Sequence, residues 1–309
     1  MQPSPAARRA FAAPLRSVKL LPPTAAMFLL AGCSGGVLDP RGQIAAEESK
    51  ILLNSVGTML IIVLPTILAT LVFAWWFRAS NHRARYLPDW AFSGRLELVN
   101  WGYPLLIILF LGGLIWVGSH RLDPVRPIAA AGKQLEVQVV SLDWKWLFIY
   151  PEQAVASVNE LVMPAEAPVH FSLTSATVMN SFFVPQLGSM IAVMPRMMTQ
   201  LHLKADRAGD LWGLSTQFSG DGFAGMHFDV RVRSKDDFER WVADARKSAC
   251  ALDHASYAEL SRESENVRPF VYRSVAPTLF DDIMTGKLAP SNATGKQEAA
   301  AAPCLEATP

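Results

Sequence analysis

Two uncharged apolar runs limit what this chain can become. Asn54 to Phe77 holds 24 residues without a charge, and Leu98 to Val117 holds 20 more. A helix needs roughly 20 apolar residues to cross the hydrocarbon core of a bilayer, so each run is long enough to span one. Aromatic side chains stand where headgroups would lie. Phe73, Trp75, Trp76 and Phe77 close the first run, Trp101 and Tyr103 open the second, and Trp116 ends it. Pro65 and Pro104 fall inside the runs. In water either would break a helix, but in lipid a neighbouring helix can satisfy the carbonyl that proline frees. The pair Gly112-Gly113 permits close approach of a partner helix. A transmembrane hairpin is the expected result.

Composition agrees with a membrane-attached chain. Apolar residues make up 51% of the 309 and charged ones 18%, which is apolar-rich for a soluble globule. A net charge of +1 without a basic patch argues against a nucleic-acid partner. Cys33, Cys250 and Cys304 are too few and too scattered for a disulfide framework or a zinc site. Cys250 and Cys304 would share an oxidising compartment in which they can pair, with nothing in the sequence to set their distance.

The N-terminus reads as an export signal. Arg8, Arg9, Arg16 and Lys19 supply its positive region, and Leu20 to Leu30 supply an apolar run too short to span. Leu30-Ala31-Gly32-Cys33 resembles the lipobox of bacterial lipoproteins. That resemblance implies cleavage after residue 32 and acylation of Cys33, by a diacylglycerol on the thiol and an acyl chain on the new amine. The alternative is an ordinary signal peptide with an incidental cysteine. An anchor at Cys33 must sit outside the membrane, and two spans return the chain to that side. Loop charge agrees: Arg78, Arg83, Arg85 and Arg95 against Asp89 place the 78–95 loop in the cytoplasm.

After a Pro-containing linker, His120 to Gly132, the pattern becomes alternating and β-branched. Strands are expected at Leu135–Ser141, Lys145–Tyr150, Glu160–Met163, Val169–Ser175, Phe182–Val184, Thr199–Lys204, Asp210–Gln217 and Met226–Arg233. This spacing suggests an all-β sandwich, with an immunoglobulin-like arrangement equally compatible. Ser234 is a plausible cap for a helix carrying Phe238, Trp241, Val242 and Ala245, and a second helix is expected from Ser256 to Ser264 with Ser256 as its cap. From Leu288 the chain is rich in Ala, Pro and Thr and is expected to be disordered. The organisation is a signal peptide at 1–32 and a lipidated N-terminus with the helix hairpin at 33–119. A periplasmic domain at 133–233, a helical extension at 234–287 and a tail at 288–309 follow.

Three stretches carry a family resemblance: Asp143-Trp144-Lys145-Trp146 through Gln153, Asn180-Ser181-Phe182-Phe183-Val184-Pro185, and Ser219 through Phe228. Together they resemble the cupredoxin domain of subunit II of the haem–copper respiratory oxidases, over roughly Glu47 to Thr285. In the cytochrome c oxidases of that family a His stands where Asn180 stands here. A Cys-x3-Cys-x3-His-x2-Met cluster stands at Ser219, Phe223, His227 and Val230, and these ligands hold a dinuclear copper centre. Copper of this kind needs thiolate, imidazole or thioether donors. Ser219, Phe223, Asn180 and Val230 supply none, and a lone His227 at the end of a Gly-rich loop reads as a surface or packing residue.

A copper-less subunit II resembles that of the cytochrome bo-type ubiquinol oxidases. The resemblance implies a subunit of a proton-pumping terminal oxidase in the bacterial inner membrane, with its large C-terminal domain in the periplasm. No catalytic centre and no cofactor are expected in this chain; haems and copper would belong to partner subunit I. Expected partners are subunit I, further oxidase subunits, membrane lipid and quinol, with no cytochrome c. Menaquinol in place of ubiquinol is an open alternative. A cytochrome c oxidase subunit II is disfavoured by the missing ligands, and a free-standing lipoprotein by the two spans.

Three further residue groups can be weighed. Trp144 and Trp146, two apart on an expected strand, should form one apolar patch against subunit I. Met190, Met194, Met197 and Met198 read as fillers of irregular gaps rather than a copper tract. Glu97, at the cytoplasmic start of the second span, resembles a family Glu at the mouth of a proton route; the bland reading pairs it with Arg95 or leaves it solvated by headgroups.

Overall fold

A computed structural model of the chain describes residues 36–85, 87, 89–128 and 133–288. Residues 1–35, which contain the expected signal and Cys33, lie outside these, as does the tail beyond Leu288.

The apolar runs form helices α1 (Gln43–Trp76) and α2 (Gly94–Arg121). Both outrun the sequence expectation. The reason at α1 is tertiary: its first turns rest on the following domain, where Ala45 is buried. Gly42 offers no side-chain cap. The Ala45 amide donates instead to the Leu187 carbonyl at 3.2 Å, and Ser189 Oγ donates to Glu48 at 2.7 Å. Gly188, at φ +132, leaves room for Ile44, because a Cβ there would fall 2.5 Å from the Ile44 Cγ2. Beyond Ser49 most large apolar side chains of both helices are exposed, as lipid-facing surfaces are.

Ten strands follow: β1 (Leu135–Leu142), β2 (Lys145–Tyr150), β3 (Val155–Val158), β4 (Glu160–Pro164), β5 (Pro168–Ser175), β6 (Asn180–Val184), β7 (Gly188–Val193), β8 (Thr199–Lys204), β9 (Gly209–Ser215) and β10 (His227–Arg233). The C-terminal extension holds α3 (Lys235–Ala245), β11 (Ala251–Leu252), α4 (His254–Leu260), β12 (Phe270–Tyr272), β13 (Ser274–Val275) and α5 (Leu279–Met284). One sheet runs β12-β3-β2-β1-β5-β8 and the other β4-β10-β9-β6-β7. The parallel pairs β1–β5 and β4–β10 separate this sandwich from the antiparallel immunoglobulin arrangement.

Five strands escaped the sequence reading: β3, β7 and the short β11, β12 and β13 of the extension. Strand β3 reads Val-Ala-Ser-Val and is divided from β4 by Asn159 alone, at φ 54. Strand β7 opens Gly188-Ser189, which looks like a turn, and is set by pairing with β6. The second extension helix is also displaced. Asp253, not Ser256, caps α4 by accepting the Ser256 amide at 2.8 Å, and the helix ends at Leu260. Ser234 caps α3 as expected, accepting from the Asp237 amide. The linker is held at its start: Pro124 accepts from the His202 amide at 3.0 Å.

Between the sheets lies an aromatic core. Trp146 meets Phe182 and Phe228 edge-on, each at 5.6 Å, and Phe182 stacks on Phe228 at 5.3 Å. The outer face of the first sheet is also covered. Val140, Leu142, Leu147 and Ile149 pack with Tyr257, Leu260, Leu279 and Phe280 of the extension. Burial on both faces explains why Lys145-Trp146-Leu147-Phe148-Ile149-Tyr150 is buried throughout rather than alternating.

Candidate functional site

At one end of the core, Asn180 opens β6 and is 1% exposed. A buried amide must be hydrogen-bonded or it costs the fold. Its Nδ2 donates to Ser141 Oγ at 2.7 Å, and its Oδ1 accepts from Ser215 Oγ at 3.1 Å. The neighbouring Ser181 and Thr216 hydroxyls bond each other, and Thr216 Oγ1 donates to Met190 Sδ at 2.7 Å. Hydroxyl and amide groups thus satisfy one another across β1, β6 and β9.

The loop from β9 to β10 is held by Trp144. This residue lies in the β1–β2 turn at φ 63, a conformation uncommon for a bulky side chain. Its indole Nε1 donates to the Ser219 carbonyl at 3.2 Å. Its ring covers Gly220 and Gly222; a Cβ at Gly222 would fall 2.4 Å from the ring. Gly220, at φ +115, turns the chain beneath it. Phe223 meets Phe218 edge-on at 5.6 Å, and the Ser219 hydroxyl lies 3.8 Å from Met226 Sδ.

The remaining expected positions point elsewhere. His227 is exposed at the start of β10 and lines a small cleft with Asp229, Asn266 and Arg268, towards the extension. Val230, three residues on, is fully buried in the core. The side chains at Asn180, Ser219, Phe223, His227 and Val230 therefore do not fit a copper centre: hard or apolar groups occupy four positions, which leaves one imidazole as the only suitable donor among the five.

The aromatic patch expected from Trp144 and Trp146 does not form. The two-residue alternation holds only where both residues are on a strand, and Trp144 is in a turn. Trp146 is buried in the core and Trp144 lies over the loop. The methionine expectation also needs correction, since Met190, Met197 and Met198 are 45–56% exposed rather than filling gaps.

Glu97 is in the first turn of α2. Its Oε2 accepts from the Trp101 indole at 3.1 Å, one helical turn on. Among the described residues no ion pair joins it to Arg95, so the acid is held by an aromatic donor.

One buried charge was missed at the sequence level. Lys145 is 1% exposed, and its Nζ donates to the Arg262 carbonyl and Ser264 Oγ, both at 2.6 Å. Burial lowers its pKa to about 8, against the opposing pull of Asp143 and Glu263. It fastens the extension to the sandwich. A lysine inside an otherwise apolar strand run was the available signal. Asn159 does similar work, accepting from the Trp146 amide and donating to the Val267 carbonyl, each at 2.8 Å. Cys250 is disulfide-bonded, and the pairing with Cys304 considered above falls outside the described residues.

Residues 135–232 match the family described as cytochrome c oxidase subunit II, periplasmic domain, and residues 246–286 match the COX aromatic rich motif. The cytochrome bo(3) ubiquinol oxidase subunit 2 of Pseudomonas aeruginosa is 48% identical, across 83% of this chain and 78% of its own length. The ubiquinol oxidase subunit 2 of Acetobacter aceti is 47% identical, across 83% of this chain and 84% of its own. Among solved structures, the periplasmic domain of subunit II of cytochrome oxidase from Bradyrhizobium japonicum is 25% identical. It covers 40% of this chain and 98% of its own, with a TM-score of 0.37.

Proposed function

Because this chain belongs to the subunit 2 family of ubiquinol oxidases, we propose that it serves a quinol-oxidising, oxygen-reducing complex as a subunit without a redox centre of its own. The observation that carries this reading is the Asn180 cluster. Where an electron-receiving copper would need soft donors, buried hydroxyl and amide groups hydrogen-bond one another. Electrons then reach the complex from a membrane quinol, and haems and copper reside in subunit I. Ubiquinol is favoured over menaquinol by the names of the relatives at 47–48% identity.

In this reading the chain anchors, assembles and positions. Residues 1–32 are a signal peptide, Cys33 is acylated, α1 and α2 cross the inner membrane, and the sandwich with its extension lies in the periplasm. The 78–95 loop faces the cytoplasm, where Glu97 stands at the mouth of a proton route. The lipidated N-terminus and hairpin occupy 33–119, the sandwich 133–233 and the extension 234–287.

Metal analysis of the purified complex tests the central point. All copper should be accounted for by subunit I, and the isolated chain should lack a thiolate charge-transfer band. Two coppers per chain with that band would make it an acceptor of electrons from cytochrome c. Intact-mass measurement tests the anchor separately: a chain retaining residues 1–32 and no lipid would remove the lipoprotein reading.

A further inference from the structure

A groove of about 890 Å³ lies between helices α1 and α2 in the half of the hairpin next to the sandwich. Its outer rim carries Glu47, Lys50 and Arg121; deeper, Phe110, Leu114 and Val117 make an apolar wall. We propose that this groove binds one membrane glycerophospholipid, with its phosphodiester at Arg121 and an acyl chain laid along Phe110, Leu114 and Val117.

Charge complementarity selects the ligand. Lys50 is neutralised by Glu47 at 2.6 Å. Arg121, the last residue of α2, has no acidic partner among the described residues. The rim therefore carries one uncompensated positive charge, which one phosphodiester matches. A guanidinium fork is suited to bidentate phosphate contact.

Length and shape agree. The α2 wall runs from Leu109 to Leu122. At about 1.5 Å per residue this is about 20 Å. That holds a headgroup and an acyl chain reaching through one leaflet, which is half of a hydrocarbon core about 30 Å thick. The glycines set the opening. A Cβ at Gly118 would fall 2.9 Å from Ile51 Cδ1, so the helices touch there. A Cβ at Gly113 would meet nothing within 4 Å, so the groove floor is open one turn deeper. An apolar floor left empty forfeits dispersion contacts that an acyl chain supplies. A helix of another subunit is the rival occupant, and it would have to desolvate the charged rim without neutralising it.

The whole complex, purified in mild detergent without added lipid, provides the test. Native mass spectrometry should find one more phospholipid per complex in wild type than in Arg121→Gln or Gly113→Phe, with subunit stoichiometry unchanged. Phosphatidylglycerol with a photoactivatable acyl chain, in nanodiscs, should label the 109–122 peptide of wild type about tenfold more than that of Arg121→Gln, the worth of one charge-assisted hydrogen bond. A benzophenone attached at Gly113→Cys should cross-link to phospholipid. Equal lipid content in wild type and both variants, no label on the wild-type peptide, or cross-linking of that probe to another subunit in place of lipid would each overturn the proposal. The wild-type labelling decides the matter even where a variant does not assemble.

Discussion

The Tyr103 hydroxyl of α2 donates to the Ile61 carbonyl of α1 at 2.8 Å. Ile61 is four residues before Pro65, which has no amide to offer it, so the proline leaves this carbonyl without its helical partner. An unpaired carbonyl in lipid is unfavourable, and the neighbouring helix supplies the missing donor. The kink-prone site in one helix is thus the docking point for the other.

Tyr103→Phe should lower the stability of the hairpin by about 1 kcal/mol, in the range measured for interhelical hydrogen bonds. Pro65→Ala restores the amide, so the same Tyr103→Phe change in that background should cost much less. Denaturation of the chain in mixed detergent, run as a double-mutant cycle, checks the coupling. Equal losses in both backgrounds would mean that the hydroxyl does not serve the freed carbonyl.

Gly222→Ala should drive its Cβ into the Trp144 ring, for which 2.4 Å is far too close. Overpacking of this kind costs roughly 1–3 kcal/mol. With Trp144→Ala already made, the space is free and the glycine change should cost little. Urea melts of the four variants, followed by fluorescence of the remaining tryptophans, measure the non-additivity.

Asn180→Ala removes both contacts at once: the Ser141 hydroxyl loses its amide donor in the core, and Ser215 Oγ, as a donor, keeps only its longer bond to the Gln217 carbonyl at 3.3 Å. A loss of roughly 1–3 kcal/mol is expected for groups left buried and unpaired. Ser141→Ala in that background should recover part of it. Haem content of the complex should not change, because the cluster's role is packing rather than electron transfer.

Lys145 gives the domain a pH signature. Its folded pKa of about 8 lies below the ordinary value of 10.5, so between these the unfolded chain binds more protons than the folded one. Stability should therefore rise with pH through that window, by about 3 kcal/mol if the shift is taken whole, while the full cost of burying the ammonium is present below pH 8. Lys145→Met should flatten the rise. It should also loosen the 262–264 segment that the ammonium holds, read as faster amide exchange there.

Glu97→Gln keeps the bond from Trp101 but removes the titratable proton. If Glu97 passes protons, quinol oxidation should slow about tenfold, at the low end of what a positioned acid–base group contributes, while assembly stays normal. Trp101→Phe removes only the indole donor and separates positioning from proton transfer. Normal turnover of Glu97→Gln where proton supply limits the rate would leave the acid a structural role.

What the sequence determined by itself is what local chemistry enforces. Uninterrupted apolar length made Asn54–Phe77 and Leu98–Val117 helices, and period-two alternation located most strands of the sandwich. Donor type at Ser219, Phe223 and Asn180 argued against copper before any geometry was known. Tertiary structure decided everything that depends on a distant partner. Trp144 and Trp146 look equivalent in the chain, yet one lies over a glycine loop 75 residues away and the other is sealed among phenylalanines. Lys145 stands in an apolar strand run, but its partners, the Arg262 carbonyl and the Ser264 hydroxyl, come from the extension more than a hundred residues away. The start of α1 precedes its apolar run because the Leu187 carbonyl caps it from another domain. Such contacts leave no periodicity in the sequence. They arise because buried polar groups must find partners, and folding alone determines which ones come within reach.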